Sequence, residues 1–233
     1  MMEAIFGGHS FIVLNVEKKQ VAIDPWLDNP LCPAELKNIK PNLIVVTHGH
    51  LDHAGNVVSI ANQANCPVVC IVELAHLLKK AGLHPDLAVE ANKGGVIKLE
   101  GFEICLTHAL HSSSFLLNGE MHYAGEACGV VIRYQDIAIY HAGDTALFAD
   151  MDWVSYRWTP RVAFLPIGDV YTMGPEDAAE AAQIIQANIT VPIHYKTFSV
   201  LTGTAEEFVN ICKRDEVNSK IEVLEPGQAL PIN

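Results

Sequence analysis

The sequence has few basic residues and lacks any long apolar run. Its 233 residues include 15 lysines and arginines against 27 aspartates and glutamates, which gives a formal net charge of −12. Because no basic cluster interrupts this acidic background, most of the surface would repel a phosphate backbone, which argues against nucleic acid as a partner. No stretch approaches the ~18 apolar residues of a membrane span, and the N-terminus lacks the features of a signal peptide. We therefore expect a cytoplasmic protein without a membrane partner.

The sequence also lacks a C-x-x-C pair. Its six cysteines are scattered, and several lie inside apolar, strand-like runs such as residues 102–107. Three disulfides would suit an exported protein, but no export signal supports them, so we expect reduced thiols in the core. The six are Cys32, Cys66, Cys70, Cys105, Cys128 and Cys212.

The balance of residue types favours one large α/β domain that spans residues 1–233. Half of the residues are hydrophobic and only 18% are charged. A chain of this length and composition can bury a broad core without disulfides.

Short apolar, β-branched runs predict many strands along the chain. Between them, Pro175 with two acidic residues after it predicts the start of a helix. Thr204 and Glu207 form a capping box ahead of a second helix. The predicted strands are residues 10–16, 20–24, 43–47, 67–71, 102–107, 129–134, 137–141, 162–167 and 221–224.

The two halves of the chain share a weak pattern. In each half a strand runs into an aspartate, and an apolar run that begins with proline follows after a similar interval. The aspartate and the run are Asp24 and residues 41–48 in the first half, and Asp144 and residues 160–167 in the second. Two such units packed sheet on sheet would form an αββα sandwich whose loops meet along one edge. The alternative is a chance match.

The segment after the apolar run 43–46 concentrates metal-binding side chains. Four potential ligands, His48, His50, Asp52 and His53, lie within six residues. A loop at a strand end can direct the first two to one point and the last two to another. Imidazole nitrogen and carboxylate oxygen are ligands for zinc, manganese or iron. The alternative is a polar loop whose histidines cap the following helix, but that role gives no reason for histidines to cluster.

This H-x-H-x-D-H segment resembles the signature of the metallo-β-lactamase superfamily. Within it, the sequence is similar to uncharacterised predicted metal-dependent hydrolases related to L-ascorbate-6-phosphate lactonases. The resemblance runs nearly end to end and implies a four-layer αββα sandwich that hydrolyses a small-molecule substrate. The supporting motifs are Gly7-Gly8-His9-Ser10, Ile23-Asp24-Pro25, Ala109-Leu110-His111-Ser112-Ser113, Tyr140-His141-Ala142-Gly143-Asp144-Thr145, Leu165-Pro166-Ile167-Gly168, Thr172-Met173-Gly174-Pro175 and Pro192-Ile193-His194-Tyr195.

The resemblance also implies a ligand set for two divalent metal ions, with zinc favoured and manganese or iron as alternatives. His108 competes with His111 for one ligand position. We favour His111 because it lies in a turn-forming context before three serines, whereas His108 ends the strand 102–107. The implied ligands are His48, His50 and His111 for one ion, Asp52, His53 and His194 for the other, and Asp144 as a bridge between them.

Two further matches to the family suggest supporting roles. Asp24 would orient His48 or His50 through a ring N–H, as outer carboxylates do at metal sites; its alternative is a turn residue. His9 would line the substrate pocket or donate a proton to a leaving group. A buried, hydrogen-bonded histidine is the favoured alternative for His9.

Lys196 and Asp169 stand where related sequences tend to carry small or neutral residues. Lys196, two residues after His194, could reach the mouth of the pocket and attract an anionic substrate. Its alternative is a solvated surface lysine. The departure bears on the substrate class and leaves the ligand set unchanged.

The ligand set suggests a hydrolytic mechanism. Two divalent ions about 3.5–4 Å apart would share a water and lower its pKa toward 7, so that hydroxide is the nucleophile. Asp52 would both ligate an ion and orient the attacking oxygen. No serine nucleophile is needed, and residues 112–114 lack the strand-turn-helix context of one.

Two other functions stay open beside a metal-dependent hydrolase of a small ester, lactone or phosphodiester. A di-iron oxidoreductase of the same fold would carry glutamate in place of His50 and an additional flavin domain. A non-catalytic metal-binding protein would keep the same ligands without turnover. Association into a homo-oligomer is also left open.

Overall fold

Two seven-stranded β-sheets form the centre of the structure, a computed structural model that describes residues 2–233. A short hairpin forms a third, two-stranded sheet. The strands are β1 (Met2–Phe6), β2 (Ile12–Val16), β3 (Lys19–Ile23), β4 (Leu43–Val45), β5 (Val68–Ile71), β6 (Ala88–Ala91), β7 (Val96–Leu99), β8 (Phe102–His108), β9 (Ser114–Leu117), β10 (Glu120–Tyr123), β11 (Cys128–Tyr134), β12 (Ile137–His141), β13 (Val162–Pro166), β14 (Ile189–Ile193), β15 (Lys220–Ile221) and β16 (Ala229–Ile232).

The two large sheets have the same succession of strand pairings. The first sheet, β16-β1-β2-β3-β4-β5-β6, has three antiparallel pairings followed by three parallel ones. The second sheet, β7-β8-β11-β12-β13-β14-β15, repeats this succession. The change from antiparallel to parallel occurs at β3 and at β12, the strands that run toward Asp24 and Asp144. The weak sequence pattern of the two halves therefore corresponds to a repeated sheet.

In the described part of the chain, six α-helices accompany the sheets. Helix α5 begins at Pro175, as predicted. Of the predicted capping box, the structure contains the N-cap bond, in which the hydroxyl oxygen of Thr204 accepts a hydrogen bond from the backbone N–H of Glu207 at 3.1 Å. Among residues 2–233, no helix has the length and apolar composition needed to cross a bilayer. The helices are α1 (Leu51–Ala54), α2 (Val57–Ala64), α3 (Val72–Lys80), α4 (Asp152–Trp158), α5 (Pro175–Ile185) and α6 (Ala205–Arg214), with 3₁₀ turns at Ala34–Asn38, Pro85–Leu87 and Ala149–Met151.

Alternation along the strands of the second sheet divides its side chains between two cores. Val162 and Phe164 of β13 lie in a core that also contains residues of the first sheet and of helices α2 and α3. Ala163 and Leu165 lie in a second core with residues of α4, α5 and α6. The layers therefore run helix, sheet, sheet, helix, and the predicted αββα sandwich is confirmed.

The last strands of the second sheet differ from the prediction. Strand β14 was not predicted, because Pro192 interrupts its apolar run and proline is unusual inside a sheet. Strand β15 pairs only with Ile189 and Thr190 of β14, so Pro192 lies beyond that ladder and its missing N–H costs no bond there. The predicted strand 221–224 shortens to Lys220–Ile221 at the edge of the sheet.

All six cysteine thiols are free, and five are buried. Burial raises the pKa of Cys66 to about 11 and that of Cys128 to about 12. These thiols therefore stay protonated at neutral pH and are packing groups rather than nucleophiles or metal ligands.

The core between the sheets predicts the cost of removing one of its large side chains. Phe164 is fully buried, and Phe164→Ala should lower the free energy of unfolding by about 3–5 kcal/mol, the usual cost of the lost burial and the cavity. Chemical denaturation measures this change. As a control, Tyr156→Ala on α4, where the side chain is 91% exposed, should change stability by no more than about 0.5 kcal/mol. Equal losses for both variants would contradict the assigned core.

Candidate metal centre

Strand ends from both sheets meet at one edge of the sandwich, and the candidate ligands follow these ends. Asp24 follows β3, His48 follows β4, Asp144 follows β12 and His194 follows β14. The loops after parallel strands converge at the carboxyl edge of a sheet, where α/β folds commonly place their sites. Residues far apart in the sequence thus come within contact distance.

The segment from His48 to His53 presents ligands in two directions because its backbone changes from extended to helical. His50 is extended, with φ −63° and ψ 151°, and helix α1 begins at the next residue. His48 and His50 are two residues apart on extended chain and so lie on the same side, whereas Asp52 and His53 lie in the first turn of α1. The His50 side chain makes no capping hydrogen bond to α1, so helix capping does not account for the cluster.

Three imidazoles form the first ligand group. His48 Nε2 lies 3.0 Å from His50 Nδ1, and the ring centroid of His111 lies 5.2 Å from those of both. One ring nitrogen from each of the three lies within 4.8 Å of the others. Gly49 brings this loop against the next one, since a Cβ there would lie 2.9 Å from the carbonyl oxygen of Ser114. A side chain at this position would displace the ligand loop.

The second ligand group consists of Asp52, His53 and His194, with His9 beside them. Asp52 Oδ2 lies 3.8 Å from Nε2 of both His53 and His194. One ligand atom from each of the four residues lies within 4.8 Å of the others. His194 has a left-handed φ of 57°, and Gly168 makes room for its backbone, because a Cβ there would lie 2.2 Å from the His194 carbonyl oxygen.

The carboxylate of Asp144 lies between the two groups. Its Oδ2 lies 3.9 Å from His48 Nε2 and 3.7 Å from His111 Nε2, both in the first group. The same oxygen lies 3.0 Å from His194 Nε2, and Oδ1 lies 3.3 Å from His53 Nε2. The two oxygens of this one residue therefore face ligands of both groups.

The turn into Asp144 is held by His141, a residue for which the sequence predicts no role. The Gly143 N–H donates to His141 Nδ1 at 3.1 Å, and His141 Nε2 donates to the carbonyl oxygen of Ser10 at 2.9 Å. Burial lowers the pKa of His141, which agrees with a neutral ring that accepts on one nitrogen and donates from the other. Residues 145–148, directly after Asp144, are not helical, and the next helical turn begins only at Ala149, so helix capping is not the role of Asp144.

Asp24 contacts His53 rather than the predicted His48 or His50. Its Oδ2 accepts hydrogen bonds from His53 Nδ1 at 2.8 Å and from the Thr47 hydroxyl at 2.7 Å. The same hydroxyl oxygen lies 3.0 Å from His48 Nδ1, so Asp24 reaches His48 only through Thr47. The reason is that β3 and β4 are adjacent parallel strands, which places Asp24 directly beside Thr47.

His9 is fully buried and hydrogen-bonded, as its favoured alternative supposed. Its Nε2 lies 3.0 Å from Asp52 Oδ2 and its Nδ1 lies 2.5 Å from Thr197 Oγ1. Its carbonyl oxygen accepts from the His194 N–H at 2.8 Å. Because the ring does not line the cavity described below, the predicted pocket-lining role is replaced by a contact that holds Asp52.

Two other candidates lie away from the ligand groups. His108 is exposed, with Nδ1 3.3 Å from the Lys93 ammonium, so His111 is the histidine that joins the first group. Lys196 is exposed and lines a separate cavity with Tyr195, which corrects its predicted place at the pocket mouth. In a continuing strand, Lys196 and His194 would point to the same side. The strand ends at β14, because His194 and Lys196 have left-handed φ values of 57° and 65°.

Burial prepares the first ligand group for metal binding. It lowers the pKa of all three imidazoles, and that of His48 falls well below its ordinary value. Neutral imidazole is the form that binds metal ions. These rings are therefore ready to ligate at neutral pH without losing a proton.

Charges dominate the second group. Burial lowers the pKa of His53, but the carboxylates of Asp144, Asp24 and Asp52 outweigh it and raise that pKa well above its ordinary value. Burial raises the pKa of Asp144, but the imidazoles of His194 and His53 outweigh it and hold that pKa well below its usual range. Without a metal ion, this group is an ion-paired cluster.

Several buried polar atoms at this centre make no hydrogen bond of good geometry, although some lie 3.0 or 3.3 Å from a polar atom of opposite charge. They include His53 Nε2, His194 Nε2 and Asp144 Oδ1. An unsatisfied buried polar atom costs about 1–3 kcal/mol, so three at one point require an explanation. A cation would satisfy them together, and imidazole with carboxylate is a donor set of zinc and related divalent ions. The residues present therefore fit metal binding.

Both ligand groups open into a cavity of about 530 Å³. This volume suits a small molecule. The sequence motifs do not point to the aromatic and aliphatic residues of its wall, whose only signal is a position in the loops after β13 and β14. The lining residues are His50, Asp52, His111, Ser112, Asp144, Tyr171, His194, Phe198, Ser199 and Val200.

The pKa directions predict different protonation of the two groups in metal-free protein. Because the pKa of His53 is raised, its ring should carry a proton at pH 7, while the ring of His48, whose pKa is lowered, should stay neutral well below pH 6.5. Side-chain ¹H–¹⁵N NMR across a pH titration reports both states, with His53→Gln for assignment. Asp24→Asn should lower the titration midpoint of His53. A neutral His53 at pH 7 would contradict the assigned charge cluster.

The chain resembles known proteins over most of its length. The β-lactamase superfamily domain family matches residues 19–195. A UPF0173 metal-dependent hydrolase of Koribacter versatilis is 41% identical over 217 residues, covering 90% of this chain and 92% of the relative. Another of Methanosarcina mazei is 37% identical over 226 residues, covering 97% and 96%.

A solved structure supports the same assignment. Igni18, described as a novel metallo hydrolase from the hyperthermophilic archaeon Ignicoccus hospitalis, has a TM-score of 0.87 at 35% identity and covers 98% of this chain and 97% of its own. The fold, the cluster of possible metal ligands and these matches agree. The chain therefore belongs to the UPF0173 family of metal-dependent hydrolases, within the metallo-β-lactamase superfamily.

Proposed function

We propose that this protein binds two divalent metal ions and hydrolyses a small ester, lactone or phosphodiester. The observation that carries the proposal is the position of Asp144, whose two carboxylate oxygens face imidazoles of both ligand groups. A carboxylate can place oxygen between two cations and offset part of their repulsion, whereas a neutral imidazole binds one ion at a time.

The two ligand groups define which residues would hold each ion. Zinc suits their nitrogen and oxygen donors best, and manganese or iron would use the same set. The motif disfavours the redox alternative, because His50 occupies the position where we expect glutamate in a di-iron oxidoreductase. The proposed ligands are His48, His50 and His111 for the first ion, Asp52, His53 and His194 for the second, and Asp144 for both.

The bound ions would polarise the substrate oxygen and lower the pKa of water toward neutrality, which supplies a nucleophile at pH 7. Asp52 lines the cavity, and its contacts with His9, His53 and His194 are all made by Oδ2. In this proposal the other oxygen, Oδ1, which makes none of these contacts, orients the attacking water and accepts its proton.

The surrounding residues support this role of Asp52. His9 holds Oδ2 through Nε2, and Thr197 holds His9 through Nδ1, so the carboxylate cannot rotate without breaking this chain of contacts. Ser113 is not a competing nucleophile, because its hydroxyl accepts from the Gly49 N–H and donates to the Ala124 carbonyl oxygen. The protein's own groups thus position water rather than attack the substrate.

An activity screen tests the proposal. The zinc and manganese forms should hydrolyse at least one member of a panel of esters, lactones and phosphodiesters, and a chelator should abolish turnover. Asp52→Ala should lower kcat by about 10²-fold or more, the usual contribution of a positioned acid or base. The matched control Asp86→Ala, at a side chain that is 90% exposed, should keep full activity.

The same variants separate catalysis from folding. Asp52→Ala and His50→Ala should retain a cooperative thermal transition, because the two hydrophobic cores lie in the sheets and helices rather than at the ligands. If either variant is unfolded at room temperature, the site is structural. Metal binding without turnover of any panel member would favour a non-catalytic metal-binding protein.

Asp144→Asn tests the bridge between the ions. This change keeps the shape of the side chain and removes its charge, so it should weaken both ions and leave at most one weakly held. The loss in affinity should exceed the roughly 10–100-fold typical of an outer partner of a metal ligand and should exceed that of His111→Ala, which removes a ligand of one ion. Calorimetric titration of chelator-treated protein measures both. Two ions bound by Asp144→Asn with unchanged affinity would show that the bridge lies elsewhere.

A further inference from the structure

One part of the cavity lining, here called the wall, is apolar and partly aromatic. Tyr171, Phe198 and Val200 line it, and each is exposed to solvent by a third or more of its surface. Large apolar side chains left open beside a reactive centre mark a ligand surface more often than chance exposure. Their polar neighbours in the lining are the hydroxyls of Ser112 and Ser199.

The same lining contains no lysine or arginine among the residues that the structure describes. Lys196, the cation expected at the mouth, lines a different cavity, and its ammonium lies over the ring of Tyr195. An anionic group of a substrate, placed away from the reacting bond, would therefore meet apolar side chains and hydroxyls. Losing hydration without gaining a cationic partner is costly for a charged group.

Phe198 is held in place before any ligand binds. Its ring stacks on Trp26 with a centroid distance of 5.6 Å and an interplanar angle of 22°, and the ring of His9 meets its edge at 5.4 Å. Because Trp26 and His9 lie near the ends of β3 and β1, Phe198 is anchored to the first sheet. A wall that is already ordered adds affinity without an ordering cost.

The loop that carries Tyr171 is held by a contact of its own. Asp169 and Val170 both have left-handed φ values, 62° and 55°, an unfavourable conformation for a β-branched residue such as Val170. Asp169 Oδ2 accepts a hydrogen bond from the Thr202 hydroxyl at 2.8 Å. This bond ties the loop that carries Tyr171 to the segment that carries Phe198, so the two sides of the wall keep their spacing.

We propose that this cavity selects a substrate that carries no charge away from the reacting bond and whose apolar or aromatic group lies against Tyr171, Phe198 and Val200. The inference rests on the proposed hydrolase function and narrows its substrate class. The reacting bond of the substrate would lie beside the metal-ligating residues, and the remainder of the molecule would lie against the wall. Phosphorylated esters and lactones, which carry their charge away from the reacting bond, are disfavoured.

Binding of two matched amides tests the inference without requiring turnover. 4-Methylacetanilide and 4-acetamidobenzoate differ only in a ring methyl or carboxylate, and both resist hydrolysis better than esters. Calorimetry on the zinc-loaded protein should show the charged compound binding about tenfold or more weakly, because its carboxylate is desolvated without a partner. Equal or tighter binding of 4-acetamidobenzoate would overturn the proposal, as would absence of binding by both.

Variants of the wall give the second arm of the test. Phe198→Ala should weaken 4-methylacetanilide by roughly tenfold, the lower range for a lost apolar contact in a pocket, and Phe198→Leu should restore most of the affinity. Val200→Lys, at a half-exposed position, should improve binding of 4-acetamidobenzoate. The control Tyr156→Ala, remote on α4 and 91% exposed, should change neither value. The assigned wall would be contradicted if Val200→Lys kept the preference for 4-methylacetanilide over 4-acetamidobenzoate and Phe198→Ala bound 4-methylacetanilide with unchanged affinity.

The corresponding esters separate this inference from the proposed function. 4-Tolyl acetate should be hydrolysed with a kcat/KM about tenfold or more above that of 4-acetoxybenzoate, in line with the amides. If the amides show the expected preference and neither ester nor any panel member is cleaved, the hydrolase proposal fails and the assignment of the cavity stands. If the esters are cleaved with the opposite preference, the hydrolase stands and the substrate class is wrong.

Discussion

The buried carboxylate of Asp144 sets the requirement that the rest of the site meets. It is 2% exposed, and burial alone would favour its protonated form, yet imidazoles at 3.0 and 3.3 Å hold it ionised. A buried charge in that position needs polar partners from several directions. They come from the ends of β4 and β14, from the first turn of α1 and from the loop that carries His111, so the two sheets have to meet at a single edge. Metal ions would complete the neutralisation that the imidazoles begin.

Presenting side chains at that edge requires an unfavourable backbone. His9, Asp24 and His194 all have left-handed φ values, between 47° and 57°, and a non-glycine residue held in such a conformation costs about 1–3 kcal/mol. Each of these residues comes shortly after the end of a strand, where the chain turns at the edge of the sandwich. Two of these residues hold ligands of the second group: His9 contacts Asp52, and Asp24 contacts His53. The cost of the strained backbone is thus offset by hydrogen bonds that hold the ligands in position.

This backbone geometry separates what the sequence predicts from what it does not. His48, His50, Asp52 and His53 are predictable because four ligands close together in the chain leave a chemical pattern. The sandwich is predictable because the two halves share a pattern and the motifs resemble those of the metallo-β-lactamase superfamily. The partner of Asp24 depends on which strands are adjacent. The direction of Lys196 depends on its positive φ value. Neither property can be read from the residue type. His141 and Thr47 act through hydrogen bonds to neighbours and carry no signature of their own. The aromatic wall cannot be predicted for a simpler reason. In the sequence, Phe198 and Tyr171 are ordinary aromatic residues outside any motif of ligands, and only the fold brings them beside the ligands.

The site divides its two tasks between different parts of the fold. Metal ligands follow strand ends and the first turn of α1, whose positions are set by the shared sheets and cores, whereas the wall lies on loops after β13 and β14. Loops change more readily than the elements that they connect. A relative at 37–41% identity can therefore keep the ligands and the hydrolytic chemistry while its cavity accepts a different molecule. The substrate of this chain must be argued from Tyr171, Phe198 and Val200 themselves, because membership of the family constrains the reaction and leaves the wall free to vary.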